Sequence, residues 1–460
     1  MRRAADAPSG ADTDLGSLGL TRTLARLSCA TSYDGLAEDV VELSRHALLD
    51  WFGVTLGATH EALTAVLLDT LAPSPPGDRD AVTIVGHTAR HPPLQAALIN
   101  GSASHALDFD DFNAVGLAHF SVAMLGAVLA LAEQRDASIG ELLAAYVAGY
   151  DTAYRIALAI GPDPYLRGFH QTGTVGTFGA AAACAALLRL DGDATATALG
   201  LAASLAAGAR CNFGTMTKPL HAGKACENGL LAALLASRGF TANPRAIEAE
   251  RGFAALCGGS CDVHAASVAM EPGAPLRANL FKYHACCFMT HSTLEGIDAL
   301  LSDGELHAEQ VERVEIHVSQ VELGTCAIAQ PDTALEVKFS LAHLAAMALL
   351  GRSTSAITDE HAADPELVAM RARVALHGDA EPGAPTRVEV RTAAGVHVAE
   401  RDVSVPERDL AVQADRLAAK FRVLAAPVLG PEAAEELLGA ALGLEAGAGV
   451  RRLMALASPR

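Results

Sequence analysis

From about Thr21 to Ala274, apolar residues recur at spacings of three and four, as in helices that bury one face. In "GLAEDVVELSRHALLDWFGVTLGA" the stripe runs through Leu36, Val40, Val41, Leu43, Ala47 and Leu48. Val82-Thr83-Ile84-Val85 reads as a short extended piece, and Pro92-Pro93 as the start of a new helix. "SVAMLGAVLALAE" and "ELLAAYVAGYDTAYRIALAI" read as two more helices, the second opened by a capping box of Ser138 and Glu141. "GTFGAAAACAALLRL" and "NGLLAALLASRGF" are apolar almost all round, the pattern of buried central helices.

The period changes near Pro272. "VERVEIHVSQ" alternates like a half-buried strand, and "TRVEVRTAAGVHVAERDVS" like a hairpin turning at Ala393-Ala394-Gly395. Between them "LEVKFSLAHLAAMALLG" and "DPELVAMRARVAL" read as helices, and helix returns after Pro406. The prediction is a mainly α fold. Residues 1–20 form a flexible tail and 21–275 the first part of a large all-helical domain. Residues 276–404 form a smaller inserted α+β lid domain, and 405–460 are C-terminal helices returning to the helical domain.

Composition narrows the function classes. With 51% apolar and only 4% aromatic residues, the core is built from Ala, Leu and Val, which lets helices approach closely. A formal charge of −19 leaves no basic stripe for nucleic acid, so any anion site is local. No apolar run reaches membrane-span length, and the N-terminus has no apolar segment after its arginines, so neither a membrane anchor nor a signal peptide is expected. The nine scattered cysteines read as reduced thiols of a cytoplasmic protein, and Cys257-x3-Cys261 and Cys286-Cys287 lack zinc-site spacing.

The chemistry concentrates in polar islands. In "HALDFDDF" a continued helix puts His105 and Asp108 on the buried stripe of Leu94, Ala97, Leu98 and Gly101, while Asp110 and Asp111 shape the helix end and the following loop. A buried carboxylate beside a histidine suits acid/base chemistry, or simply a helix C-terminus holding an Asp–His pair. A magnesium–diphosphate site is a poorer fit, because Asp-x-Asp-Asp is not the two-carboxylate spacing and no second acidic cluster follows. "GFHQTGTVGTFGAAAA" places His170, Thr172 and Thr174 at a helix start, which is a carboxylate pocket or a plain cap. "TMTKPLHAGKACENG" sets Lys218 and His221 at the mouth of another helix, and "NLFKYHACCFMTH" sets Lys282, His284, Cys287 and His291 near the boundary of the two textures, where clefts form.

In order, "NGSASHALDFDDF", "AHFS", "GFHQTGTVGTFGAAAA", "KPLHAGKACENGLLAALLASRGFTA", "AIEAERGF" and "KYHACCFMTH" resemble the MmgE/PrpD superfamily over roughly residues 20–425. That superfamily includes 2-methylcitrate dehydratase, cis-aconitate decarboxylase and iminodisuccinate epimerase. "KFS" and the "AAKF" of Ala418–Phe421 are further shared features. The resemblance implies a helical domain with an α+β lid, a homodimer, and no metal or organic cofactor. It implies proton transfer next to a carboxylate of a small carboxylic acid, followed by loss of water, loss of carbon dioxide, or reprotonation. Carried over, the catalytic residues are Asp108, His119, His170 and Lys218. His119 or His170 moves the proton, Asp108 orients and tunes a histidine, and Lys218 binds carboxylate with the Thr172/Thr174 helix start. His105, Phe112, His221, Lys282, Cys287 and His291 complete the substrate-binding set.

The chain also departs from the pattern. Phe112 stands where close members carry Thr, His119-Phe120 replaces "HP", and Phe288 and Met289 stand where "CRYTH" has Arg and Tyr. These changes imply a substrate less anionic and more apolar than the family norm. The reading is a lyase of the dehydratase type with altered specificity. A decarboxylase or an epimerase/isomerase is the alternative within the superfamily, and a non-catalytic binding member is the alternative outside it.

Overall fold

The computed structural model describes residues 19–258, 261–302, 304 and 306–459. Residues 1–18 of the expected tail lie outside these, and Leu20 opens the first helix, Leu20–Ala30. The architecture is mainly α, with one four-stranded mixed sheet and two two-stranded ladders among the described residues. Among the described residues no helix is long and apolar enough to cross a membrane. All nine cysteines are free thiols.

The helical part is built around Gln171–Leu187, which is buried along nearly its whole length. Phe120–Arg135, Ile139–Ile160 and Thr217–Ala236 pack around it, and Pro93–Ala106 packs in turn on Phe120–Arg135 and Thr217–Ala236. Small residues permit this closeness. A Cβ placed on Gly101 would lie 3.0 Å from the Cα of Gly223 on the facing helix, and one on Gly126 would lie 2.9 Å from Gly101 N. These close approaches bring the ends of several helices together, and those ends carry the site. Leu410–Leu429 returns to pack on Glu38–Gly57, so a single apolar core runs from Leu20 to Phe281 and resumes from Leu417 to Ala457.

A second core, from Cys286 to Val390, belongs to the smaller α+β part. Its sheet has the order Val374–Ala380, Arg313–Ser319, Thr386–Thr392, Gly395–Arg401, and its first pair is parallel. Helices His291–Ser302 and Leu341–Leu349 pack against the buried face. The capping box at Ser138/Glu141, the strand within "VERVEIHVSQ" and the hairpin at Ala393–Gly395 are present as expected.

Three local expectations fail. "DPELVAMRARVAL" is helical only to Arg371; Val374–Ala380 is an edge strand whose partner lies far away in sequence. The helix expected across "LEVKFSLAHLAAMALLG" breaks at Lys338–Ser340, where Lys338 is buried and bonds to Ala106 O at 3.3 Å. The helix carrying His105 stops at Ala106, and Asp108 sits beyond it with φ +52°, so the two residues do not share a helical face.

Candidate active site

Three helix starts meet at one pocket. His119 is the N-cap of Phe120–Arg135, His170 the N-cap of Gln171–Leu187, and Lys218 lies in the first turn of Thr217–Ala236. With Asp108 these side chains line a hollow of about 30 Å³. Its apolar walls are Phe112, Phe213, Phe288, Phe339, Leu117 and Met289, with Tyr165 and Cys287 at the edges. A larger hollow of about 380 Å³ lies on the other side of Phe288 and is lined by Tyr283, His291 and Arg416 among others. Of these two, the small hollow joins an ion pair to two imidazoles, those of His119 and His170, so it is the candidate for chemistry.

Asp108 is the charged centre. Its Oδ2 lies 2.7 Å from Lys218 Nζ, and its Oδ1 accepts from Lys282 Nζ at 2.6 Å. Lys282 also donates to Asp108 O at 2.8 Å, which helps hold the left-handed backbone conformation. Burial alone would raise the Asp108 carboxyl, but Lys218, Lys282 and the neighbouring histidines hold it well below the usual carboxylate range. His119 Nε2 stands 4.0 Å from Asp108 Oδ1.

Sequence reasoning gave Asp110 only a part in shaping the loop. The structure instead buries it between two imidazoles: His105 Nδ1 donates to Oδ1 at 2.9 Å, and His119 Nδ1 lies 2.8 Å from Oδ2. His119 Nδ1 also faces Asp111 O at 2.7 Å. These partners only accept, so both rings carry their proton on Nδ1 and leave Nε2 as a lone pair when neutral. Burial lowers both histidines, His105 to about 4, so they are neutral near pH 7. Asp110 is held well below the usual range by the two imidazoles, against the effect of its burial.

The remaining expected residues divide into pocket walls and supports. Phe112 stacks on Phe288 at 4.9 Å and borders His119 at 5.3 Å. Thr172 Oγ1 accepts the His119 N–H at 3.0 Å, and the Thr174 hydroxyl turns back to His170 O, so both hydroxyls are engaged within the protein. His221 Nδ1 meets His170 Nδ1 at 3.0 Å, and burial keeps His170 well below its ordinary value. Cys287 lies at the pocket edge, and its thiol is lowered by a hydrogen bond with Cys326. Lys282 is fully buried behind Asp108, and His291 opens onto the larger hollow.

Supporting residues come from across the chain. Lys420 donates to Asp50 Oδ1 at 2.6 Å, Phe109 O at 2.5 Å and Lys282 O at 3.0 Å, tying the Asp108 loop to the C-terminal helices. Phe112–Asn113 pairs with Asn279–Leu280 as a two-residue ladder. Asn279 Nδ2 donates to Asp111 Oδ2 at 2.7 Å and its Oδ1 accepts from Tyr150 at 3.0 Å. A charged residue inside an apolar helix, as in "LLDWF" and "LAAKF", was the available signal for Asp50 and Lys420.

His105, Asp108, Asp110 and His119 bring ligand-type atoms within 4.8 Å of one another. The donor set suits a divalent cation poorly. Both Asp108 oxygens already face ammonium groups, and both Asp110 oxygens face imidazole Nδ1 atoms.

Comparison with known proteins agrees with the order of these segments. The MmgE/PrpD N-terminal domain matches residues 22–266, and the MmgE/PrpD C-terminal domain matches residues 284–445. The cis-aconitate decarboxylase-like protein oryM of Aspergillus oryzae is 27% identical over 91% of this chain and 93% of its own length. Cis-aconitate decarboxylase of Aspergillus terreus is 25% identical over 93% of each chain. The Homo sapiens cis-aconitate decarboxylase is 33% identical, over 50% of this chain and 49% of its own length.

Proposed function

The chain belongs to the MmgE/PrpD family, and from that premise we propose that it is a lyase that removes carbon dioxide from a small unsaturated carboxylic acid, using its own side chains for proton transfer. The observation that carries this reading is the joining of Lys218, Asp108 and the Nε2 side of His119 to a wall of aromatic side chains. Decarboxylation turns an anion into neutral gas, so an apolar wall favours departure once a second carboxylate is anchored. The relatives named as cis-aconitate decarboxylases point the same way.

In this reading Lys218 anchors the carboxylate that stays, while the leaving carboxylate lies against Phe112 and Phe288. The carbon–carbon bond breaks, its electron pair shifts through the adjacent double bond, and a proton from an imidazolium Nε2 ends on carbon. His119 is placed for this step beside Asp108, which stabilises its charged form, and His170 is the alternative station. Burial lowers both rings, which makes each imidazolium a stronger acid. The open space of about 30 Å³ holds roughly two waters by the usual volume criterion, so substrate entry displaces Phe288 and Met289 on their short 3-10 turn.

Loss of water is the second reading, because a neutral imidazole and an ammonium in one pocket also provide a base and an acid. Incubation in deuterated water with unsaturated and hydroxylated di- and tricarboxylates separates the two. The proposal expects carbon dioxide release and one deuterium on the product carbon. Loss of water alone would replace it with the second reading, and no reaction with any compound would overturn both.

A further inference from the structure

The charges around the pocket balance without a substrate. Lys218 and Lys282 face the two oxygens of Asp108, their positive charges matching the negative charges of Asp108 and Asp110. Asp110 itself sits between the Nδ1 atoms of His105 and His119, and these two imidazoles and His170 are lowered by burial toward neutrality. Lys218 is the one ammonium or guanidinium group among the described residues lining the hollow. The Arg210 guanidinium lies 3.7 Å over the Tyr165 ring and donates to Tyr165 O at 2.8 Å. Lys338 is buried on Ala106 O, and burial draws it toward its neutral form. The first-turn N–H groups of Gly173 and Thr174 bond to His170 O, and that of Lys218 bonds to Thr215 O. The pocket therefore offers a stable partner to one carboxylate.

The rest of the lining is aromatic on two sides. Phe112 and Phe288 stack nearly parallel at 25°, and Phe213 lies 5.7 Å from Phe339 with Lys218 5.5 Å and 5.2 Å from their centroids. Such walls favour an apolar or π-rich body. A carboxylate enclosed there without a partner loses its hydration with nothing to replace it, which disfavours binding. One carboxylate can bear that cost because it leaves as carbon dioxide, but a third has neither an anchor nor an exit.

From this arrangement, and resting on the lyase reading above, we infer that the substrate is an unsaturated dicarboxylate bearing an alkyl or aryl group in the place where a tricarboxylate has its third carboxylate. One carboxylate sits on Lys218, the second lies against Phe112/Phe288 and departs, and the apolar substituent packs between the two phenylalanine pairs. Phe288 is the specificity-determining position.

Calorimetric titration and carbon dioxide release are measured on the same protein. The ligands are cis-aconitate and analogues in which one of its carboxylates is replaced by methyl, propyl or phenyl. The expected result is binding of the propyl or phenyl analogue at least about tenfold tighter than cis-aconitate, and a reversed order in Phe288→Arg. Equal or tighter binding of cis-aconitate by the unaltered protein overturns the inference, as does absence of measurable binding by all four compounds. Carbon dioxide from cis-aconitate in preference to the analogues also overturns it, while leaving the lyase reading intact. Binding in the expected order with no carbon dioxide from any compound supports the substrate class and strikes the lyase reading.

Discussion

The Asp110 carboxylate lies 2.8 Å from His119 Nδ1 and on its other oxygen accepts from His105 at 2.9 Å, so one buried anion sets the tautomer of two rings. An amide in its place supplies one acceptor and one donor. In Asp110→Asn at least one ring must therefore move its proton to Nε2 or turn away. The expected outcome is a folded protein whose turnover is lower by about 10²-fold or more, with altered ¹⁵N histidine resonances. Unchanged histidine spectra and near-normal turnover would remove Asp110 from the machinery.

The pH profile distinguishes the two reactions. Burial lowers His119 and His170 below their ordinary value of 6.5. If an imidazolium delivers the proton, the rate rises as pH falls from neutral toward those depressed values. It declines only when a carboxylate needed in its charged form is protonated, and Asp108 is held well below the usual range. If a neutral imidazole removes a proton, as dehydration requires, the rate is flat near neutrality and falls in acid. Plots of log(kcat/KM) against pH give the sign directly.

Asp111 gives a stability test with its own sign. Burial first, then the Asp50 charge, pushes its carboxyl up to about 7 from an unfolded value near 3.8. Between roughly pH 4 and 7 the unfolded chain has lost this proton and the folded chain keeps it, so Asp111 lowers stability as pH rises through that window and adds no further slope above it. Asp111→Asn can keep the Asn279 and Ser121 contacts through its carbonyl oxygen. The variant should gain on the parent by a few kcal/mol from pH 4 to 7 in chemical denaturation series. A stability difference that does not change with pH would contradict the buried neutral carboxyl.

Lys420→Met leaves Asp50 buried without its ammonium partner and frees two carbonyls of the site loops. The expected loss is about 3–5 kcal/mol in denaturant unfolding, partly restored in the Asp50→Asn/Lys420→Met double variant. A loss under about 1 kcal/mol would show that the clamp is not structural.

Much of this arrangement was legible in the chain. The helical and alternating periods marked the two parts of the fold, and the resemblance to the MmgE/PrpD superfamily, carried by the order of the segments, implied Asp108, His119, His170 and Lys218, which share one pocket. The rest depended on contacts that periodicity does not encode. Asp108 reaches the site from a left-handed residue beyond the helix end, where a stripe argument no longer applies. Asp110 sits in the same short charged run as a solvated loop would, and only the two imidazoles at its oxygens reveal its burial. Asp50 and Lys420 are 370 residues apart, and each alone looks like an odd charge on an apolar helix. Residues 374–376 read as the end of a helix until the parallel partner Arg313–Ser319 is known.

The central claim is that Asp108 and His119, with Lys218, move a proton next to a carboxylate in an apolar-walled pocket. The most direct measurement is the rate at which solvent deuterium, in deuterated water, appears in the product of the unsaturated acid that the unaltered protein converts fastest. It is compared with the rates for Asp108→Asn and His119→Ala. The account predicts a loss of at least about 10²-fold in each variant, with both proteins folded. Near-normal incorporation by both would contradict it.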